Sequence, residues 1–155
     1  MSERTFEELL AKDGRIVYTT RGASMRPMLT QSKSVVVIER PKGPLKKYDV
    51  ALYKRGDKYV LHRVLAVRDG WYIIRGDNTF ALERVPFKAV VGVLTQFTRK
   101  GRTVSCADPN YLRYARFWHA IYPLRLFKNR ARRFVYVTLK RLGLLGPLKK
   151  LLGRR

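Results

Sequence analysis

The chain contains few acidic residues and a single cysteine. The first shortage restricts the kind of partner that we expect, and the second restricts the possible disulfide, zinc and redox sites. Its 155 residues contain 11 Asp and Glu against 34 Lys and Arg, which gives a formal net charge of +23. Such an excess favours anionic partners, namely nucleic acid, an anionic lipid surface or an acidic peptide. The single cysteine, Cys106, excludes an intrachain disulfide and a CxxC zinc or redox site, and it is typical of a reducing compartment.

Long apolar runs are also missing from the sequence. No stretch approaches the roughly 18–20 apolar residues that a membrane-spanning helix needs. Residues 1–12 are polar and acidic, without the apolar core of a secretory signal. We therefore expect no signal peptide and no transmembrane helix, and a location that is cytoplasmic or peripheral at the cytoplasmic membrane.

The positive charge is concentrated at the C-terminal end. Asp108 is the last acidic residue, and residues 109–155 carry 13 Lys and Arg. Residues 1–108 contain the other 21 basic residues and all 11 acidic residues, a net charge of +10. This asymmetry and the turn signals predict an N-terminal helical segment at 1–14, a globular domain at 15–108 and a basic amphipathic helical tail at 109–155.

Hydrophobic patterning predicts a mainly β protein, built as a small folded β-sheet or barrel. Residues 5–12 form the pattern of a short helix, with Ser2 as its N-cap. Between residues 15 and 106, six or seven short apolar or alternating runs are separated by turn residues. This spacing favours consecutive short strands over an array of alternating strands and helices.

The basic tail interleaves apolar and basic residues, which predicts helices over 112–126 and 130–142 with a break near Pro123. Basic residues beside Leu, Phe, Trp and Tyr are typical of helices at an anionic membrane surface, the partner that we prefer for residues 109–155. A merely solvated helical face and nucleic-acid binding are the alternatives. The sequence has no RNP, zinc-finger or helix-turn-helix pattern.

Three short motifs carry the candidate chemistry. Ser24 follows a predicted strand, and Gly22 allows an unusual turn that would present the serine hydroxyl at a surface. An unassisted serine hydroxyl is a poor nucleophile and needs a neighbouring base. The motifs, in chain order, are GASMRP at 22–27, LHRV at 61–64 and RGDN at 75–78.

His62 is the candidate base, because the sequence has only two histidines and the other, His119, lies in the tail. Strand alternation puts His62 on the apolar side of its strand, where partial burial favours the neutral imidazole that accepts a proton. A third group usually orients such a base. Asp77 and Glu83 are both candidates for this role, although Asp77 also suits a structural turn.

These motifs, together with DVALYK at 49–54, resemble the conserved boxes of the S24/S26 serine peptidases, which include signal peptidases and LexA-like self-cleaving repressors. The resemblance covers about Arg15 to Val93 and implies a LexA- or signal-peptidase-like fold, with Ser24 as nucleophile. Bacterial signal peptidases have a lysine as general base, whereas His62 matches the archaeal and endoplasmic-reticulum type. In that type the third group is an Asp a few residues after the Gly-Asp-Asn box, and Glu83 falls near that place.

The resemblance also assigns roles around the serine. The Ser24 backbone N–H would stabilise the oxyanion, and Gly22 stands where bacterial relatives can add a hydroxyl. Met25 and Pro27 belong to the substrate-side surface of the serine box. Gly76 and Asn78, in the Gly-Asp-Asn box, are expected to form a structural turn.

The function implied is that of a hydrolase, a serine protease that cleaves a peptide or an exported precursor through an acyl-enzyme. Small residues would flank the cleaved bond, and the peptide would add to a sheet edge. No metal or organic cofactor is expected. Self-cleavage is one alternative, and a nonenzymatic basic adaptor that binds nucleic acid or anionic membrane on a peptidase-like fold is another.

Overall fold

Apolar and β-branched runs between residues 15 and 105 form eight strands in the computed structural model, which describes residues 5–144. Strand accounts for 36% of the described residues and helix for 31%, so the described part of the protein is mainly β, as predicted. The elements are α1 (Phe6–Asp13), β1 (Arg15–Thr19), β2 (Val35–Glu39), β3 (Val50–Arg55), β4 (Lys58–Arg68), β5 (Trp71–Arg75), β6 (Glu83–Pro86), a 3₁₀ turn (Phe87–Ala89), β7 (Val90–Arg99), β8 (Arg102–Ser105), α2 (Pro109–Ala120) and α3 (Tyr122–Arg141).

The strands form one curled antiparallel sheet that resembles half a barrel. Their order is β1-β2-β7-β3-β4-β5-β6, with β8 paired to β7. Strands β3, β4 and β5 are sequential neighbours joined by tight turns, whereas β7 is inserted between β2 and β3. The prediction of a folded sheet with a short N-terminal helix and C-terminal helices is therefore confirmed.

The hairpin of β3 and β4 sets the register that matters most for the candidate site. Gly56 and Asp57 connect the strands, and Gly56 has a φ of 58°, a conformation that glycine adopts without steric cost. The closing pair is Arg55 and Lys58, and counting back along both strands pairs Ala51 with His62. The hairpin therefore brings His62 to the middle of the sheet.

Hydrophobic side chains on the two faces of β3 enter different core clusters. Val50 and Leu52 pack with α1, β2 and the loop after β1, whereas Ala51 and Tyr53 pack with β4, β5 and β6. Alternation along a strand produces this division, because successive side chains point to opposite faces. His62, opposite Ala51, and its neighbour Arg63, opposite Val50, therefore belong to different faces of the sheet.

The N-terminal helix begins at Phe6, and Thr5 is its N-cap. The Thr5 hydroxyl accepts a hydrogen bond from the Glu8 N–H, and the Glu8 carboxylate accepts one from the Thr5 N–H. This reciprocal capping box satisfies two backbone donors at the helix start. The expectation that Ser2 caps the helix was therefore wrong.

The two C-terminal helices differ from their predicted limits. The break falls at Ile121, and Pro123 lies within the first turn of α3. Proline is tolerated there because the first N–H groups of a helix have no intrahelical partner. The predicted spans 112–126 and 130–142 were thus misplaced, since proline was interpreted as an interruption when it lies in the first turn of a helix.

The described chain forms two compact units, divided between His119 and Ala120. Helix α2 belongs to the same unit as the sheet, because its Tyr111 and Ala115 are buried. The predicted tail at 109–155 is therefore not one segment, and its residues after 144 lie outside the described part of the chain. Among the helices within residues 5–144, none has the length and apolar character that crossing a membrane requires.

Candidate active site

Three of the four predicted catalytic residues line one groove, with a cavity volume of about 1230 Å³, and Gly22 lines it too. Ser24 comes from the loop after β1, His62 from β4 and Glu83 from the start of β6. Met25 also lines the groove, whereas Pro27 is exposed and is not among the lining residues. The structure thus brings together residues separated by up to 59 positions.

The loop that carries Ser24 is held by both backbone geometry and side-chain anchors. Gly22 has a φ of 87°, as the sequence suggested for a turn that only glycine adopts readily. Beyond the serine, Met25 and Met28 are buried in the core. The Arg26–Pro27 peptide bond is cis.

The RGDN motif is tied directly to the serine loop. The Asn78 N–H donates a hydrogen bond to the Ser24 carbonyl at 2.7 Å, and its side-chain amide donates to the Ala23 carbonyl at 3.2 Å. The Thr79 N–H closes the turn on the Gly76 carbonyl. The motif therefore does more than turn the chain, because it positions the backbone on both sides of the serine.

His62 is buried, and its Nδ1 contacts two groups. Nδ1 lies 3.1 Å from Glu83 Oε1 and 3.2 Å from the Tyr53 hydroxyl oxygen. The Tyr53 hydroxyl donates its own proton to Glu83 Oε2 at 2.8 Å, so its oxygen is left to accept. Two acceptors at Nδ1 favour the tautomer with the proton on Nδ1 and a lone pair on Nε2.

The other imidazole nitrogen lies beside the serine loop. A Cβ placed on Gly76 would come within 2.9 Å of His62 Nε2 and 2.7 Å of the Ser24 carbonyl oxygen. Real side chains do not approach backbone atoms this closely, so only glycine lets the imidazole, the Gly76 backbone and the Ser24 segment meet. Nδ1 therefore contacts a carboxylate, while Nε2 lies beside Gly76, next to which the Ser24 carbonyl also lies.

Ser24 itself has unused hydrogen-bonding groups. Among residues 5–144, neither its backbone N–H nor its hydroxyl forms a hydrogen bond within the chain, and none joins Ser24 to His62. Catalytic hydrogen bonds are often long without substrate and shorten when substrate binds. The free N–H can donate to an oxyanion that forms beside Ser24.

Burial and nearby charges set the protonation of the pair. Burial lowers the pKa of His62 below its ordinary value of 6.5, and the adjacent Glu83 carboxylate opposes this shift. Burial acts to raise the pKa of Glu83, but hydrogen bonds from Tyr53 and Arg55 outweigh it, and the net shift is downward. At neutral pH the site therefore contains a neutral imidazole against an ionised carboxylate, which is the state that a general base requires.

Asp77, the other candidate for the third group, has a different partner. Its carboxylate accepts two hydrogen bonds from Arg63, at 2.8 Å from Nε and 2.7 Å from a terminal nitrogen. Arg63 also donates to the Tyr48 carbonyl and to the Tyr111 hydroxyl. Of the two alternatives left open by the sequence, Glu83 contacts the imidazole and Asp77 belongs to a buried ion pair.

Helix α2 supports the RGDN turn from the other side. The Trp118 indole N–H donates to the Asp77 carbonyl at 2.9 Å, and the Tyr111 hydroxyl accepts from Arg63. The turn is thus held between α2 and the serine loop. Sequence reasoning assigned α2 to the basic tail and missed this support.

Tyr53 and Arg55 are site residues that the sequence analysis missed. Both lie on β3 and donate hydrogen bonds to the Glu83 carboxylate. The signal was present for Tyr53, because a two-residue turn at Gly56-Asp57 pairs Tyr53 with Val60 and puts its side chain on the face of His62. Glu83 reaches the same face only through β5 and β6, a pairing that the sequence does not show.

His119 and Cys106 are not among the residues that line the groove. His119 packs edge-on against the Tyr48 ring at 5.8 Å. Burial raises the pKa of Cys106 to about 11, so its thiol stays protonated and is a poor nucleophile at neutral pH. Among residues 5–144, no three or more His, Cys, Asp or Glu side chains are grouped so that they could hold a metal ion.

Comparison with models of known protein families produces no match, and no curated protein is significantly similar in sequence. The resemblance to the S24/S26 peptidases therefore depends on the sequence motifs alone.

Proposed function

We propose that this protein is a serine endopeptidase of the signal-peptidase-like type, with Ser24 as nucleophile and His62 as general base. One observation carries the proposal: the buried His62 ring has Nδ1 against an ionised carboxylate, and its Nε2 and the Ser24 carbonyl oxygen both lie beside Gly76. A carboxylate at Nδ1 and a serine at Nε2 form the arrangement that activates a hydroxyl for acyl transfer. The cytoplasm, or the periphery of the cytoplasmic membrane, is the location we propose.

In the first half of the proposed reaction, the Ser24 hydroxyl oxygen attacks the carbonyl carbon of the scissile peptide bond. His62 Nε2 takes the hydroxyl proton, and Glu83 stabilises the imidazolium that forms. The Ser24 N–H donates to the oxyanion of the tetrahedral intermediate. The intermediate collapses with loss of the amine, which receives its proton from His62, and the acyl group remains on Ser24.

In the second half, water attacks the Ser24 ester. His62 Nε2 takes a proton from the water and returns it to the serine oxygen, which releases the acid product. The enzyme is regenerated without a redox step. Tyr53 and Glu83 act as positioning residues, since both contact Nδ1 of His62.

An extended peptide is the substrate that the groove suits. Strand β1 is an outer strand of the sheet and leads into the Ser24 loop, so a peptide can add alongside it by main-chain hydrogen bonds. The groove lining around Ser24 includes apolar side chains of Tyr18, Met25 and Leu29. The motif resemblance implies small residues next to the cleaved bond.

Acylation by p-nitrophenyl acetate tests the nucleophile without a known substrate. We expect an early burst of p-nitrophenolate, and mass spectrometry should find one acetyl group on the proteolytic fragment that contains Ser24. Ser24→Ala should remove both signals, and Ser32→Ala, which changes another serine lining the groove, should keep them. Acetylation confined to lysines, with no dependence on Ser24, would exclude the enzyme and favour the nonenzymatic adaptor.

A peptide library tests the reaction itself. The full chain should cleave a subset of peptides with small residues beside the cut, as read by mass spectrometry, and Ser24→Ala should not. Self-cleavage would appear in the same spectra as fragments of the chain. Cleavage that persists at the wild-type rate in Ser24→Ala would contradict the proposal.

A further inference from the structure

Helix α3 leaves its surface open to an unusual degree. None of its 20 residues, Tyr122–Arg141, is buried. It contains seven Lys and Arg and no Asp or Glu. A helix that has no buried residue and carries charge of one sign gains little stability from folding alone. We therefore expect a partner that contacts its exposed surface.

The apolar side chains of α3 form a stripe along one face. They recur at helical spacing of three or four residues, as Leu124, Phe127, Ala131, Phe134, Val135 and Thr138. Three of the large members are highly exposed: Leu124 at 68%, Phe127 at 71% and Phe134 at 72%. Exposed apolar surface organised in this way marks an interaction site.

Every charged residue on the rest of the circumference is basic, and Leu126, Val137 and Leu139 lie there as well. Helical spacing puts Arg125, Arg132, Arg133 and Lys140 on the side opposite the stripe, together with the exposed Tyr136. Lys128 lies at the edge of the stripe, where its long side chain can extend to a polar layer. The helix thus combines an apolar stripe with a uniformly cationic face.

We propose that α3 binds in the plane of an anionic phospholipid bilayer, with the stripe of Leu124, Phe127, Phe134 and Val135 in the acyl boundary and the basic residues among the headgroups. An anionic bilayer offers both an apolar phase and negative charge at the depth of one helix, which matches the two faces of α3. This inference is independent of the proposed peptidase activity.

Other occupants fit the same surface less well. Nucleic acid would satisfy the basic residues, but it has no apolar phase for aliphatic side chains such as Leu124 and Val135. A second copy of this chain would bring seven further positive charges to the contact, and like charges oppose association. The lipid surface is therefore the partner that explains both faces of the helix.

The test is sedimentation of the full chain with vesicles. Vesicles of equal parts phosphatidylcholine and phosphatidylglycerol should bind the protein at least about tenfold more tightly than pure phosphatidylcholine vesicles. The double variant Phe127→Ser with Phe134→Ser should weaken binding to the anionic vesicles by about tenfold or more, because two buried rings are lost.

Tyr136→Ser is the matched control, since it removes an exposed aromatic ring from the basic side of the same helix. It should leave vesicle binding within about twofold of the wild type. Far-ultraviolet circular dichroism of each variant, with and without vesicles, checks that the sheet is intact. The helical signal of the double variant should rise less on addition of anionic vesicles.

Three results would overturn the proposal. One is no binding to anionic vesicles at about 0.1 M salt, where attraction between opposite charges persists. Another is equal binding by the wild type and the double variant, which would mean that charge alone acts. The third is displacement of the protein from anionic vesicles by an equimolar concentration of duplex-DNA phosphate, which would assign the surface to nucleic acid.

Discussion

His62 and Arg63 are neighbours on β4, and each pairs with a carboxylate on its own face of the sheet. The His62–Glu83 pair borders the groove, and the Glu83 side chain is 24% exposed. The Arg63–Asp77 pair is closed off, with side chains 2% and 3% exposed. One strand thus presents two pairs, a neutral imidazole with a carboxylate and a cation with a carboxylate, and they differ in their access to water.

The two pairs also differ in proton exchange, because imidazole titrates near neutral pH whereas a guanidinium stays protonated. Burial lowers the pKa of His62, so the ring is neutral at pH 7 and can accept a proton. Burial also opposes the charge of Arg63, but the hydrogen bonds with Asp77 outweigh it and raise the pKa of the guanidinium further. The first pair suits acid–base chemistry, and the second holds a permanent charge that organises the RGDN turn.

The largest effect on activity is expected from His62→Gln. Glutamine is similar in length and can still donate to Glu83, but it cannot accept a proton from Ser24 at neutral pH. The acylation rate with p-nitrophenyl acetate should fall by about 10⁴-fold, with the free energy of urea unfolding changed by less than about 1 kcal/mol. A variant that acylates within tenfold of the wild type would remove His62 from the mechanism.

Asp77→Ala should produce the opposite result, a large loss of stability. It leaves the Arg63 charge buried without its carboxylate, which costs about 3–5 kcal/mol in the free energy of urea unfolding. The double variant Arg63→Met with Asp77→Leu removes both charges and should recover most of that loss. If Asp77→Ala had the same free energy of urea unfolding as the wild type, the proposed difference between the His62–Glu83 and Arg63–Asp77 pairs would be wrong.

Gly76→Ala should damage the site with less effect on the fold. The new methyl group would contact both His62 Nε2 and the Ser24 carbonyl, so the imidazole or the serine loop must shift. A displacement of about 1 Å lowers a reaction rate by about 10²-fold. Gly70→Ala, at a hairpin turn with open space around it, is a control for the loss of glycine. It should keep the wild-type acylation rate, while its positive φ still costs some stability.

The smallest effect is expected from Glu83→Gln, which should slow acylation by about tenfold because a charge-assisted hydrogen bond is weakened. Its pH profile is more informative than its rate. Acylation requires neutral His62, so in the wild type it rises as pH increases through an apparent pKa below 6.5. The Glu83 charge raises the pKa of His62, so Glu83→Gln should move the rise in the acylation rate to lower pH. A rise in the acylation rate that moved to higher pH would contradict the proposed effect of Glu83 on His62.

Much of the site was predictable from residue patterns. Ser24 and His62 were proposed because a serine needs a base in a chain with two histidines, and because the order of the motifs resembles that of the S24/S26 peptidases. The Gly22 turn and the mainly β fold also followed from local signals. Tyr53 could have been added, since the Gly56-Asp57 turn sets the register of β3 and β4.

Other features could not be predicted, because they depend on pairing between distant segments. Glu83 reaches His62 only because β6 pairs with β5, and β5 with β4. The assignment of α2 to the sheet unit depends on Tyr111, which packs against Phe97 of β7. Proline near the start of α3 was interpreted as a break, since its tolerance depends on where the helix begins.

The sequence by itself determined which side chains are available for chemistry and where the chain turns. Alternation along β4 was enough to put His62 and Arg63 on opposite faces. Only the tertiary structure decided which carboxylate each residue meets and how much water reaches it. Both follow from strand order and curling, which bring Glu83 to the groove and enclose Asp77 beneath α2. Side-chain type already decides that only the imidazole can move a proton near neutral pH, and burial with the neighbouring carboxylate then sets its pKa.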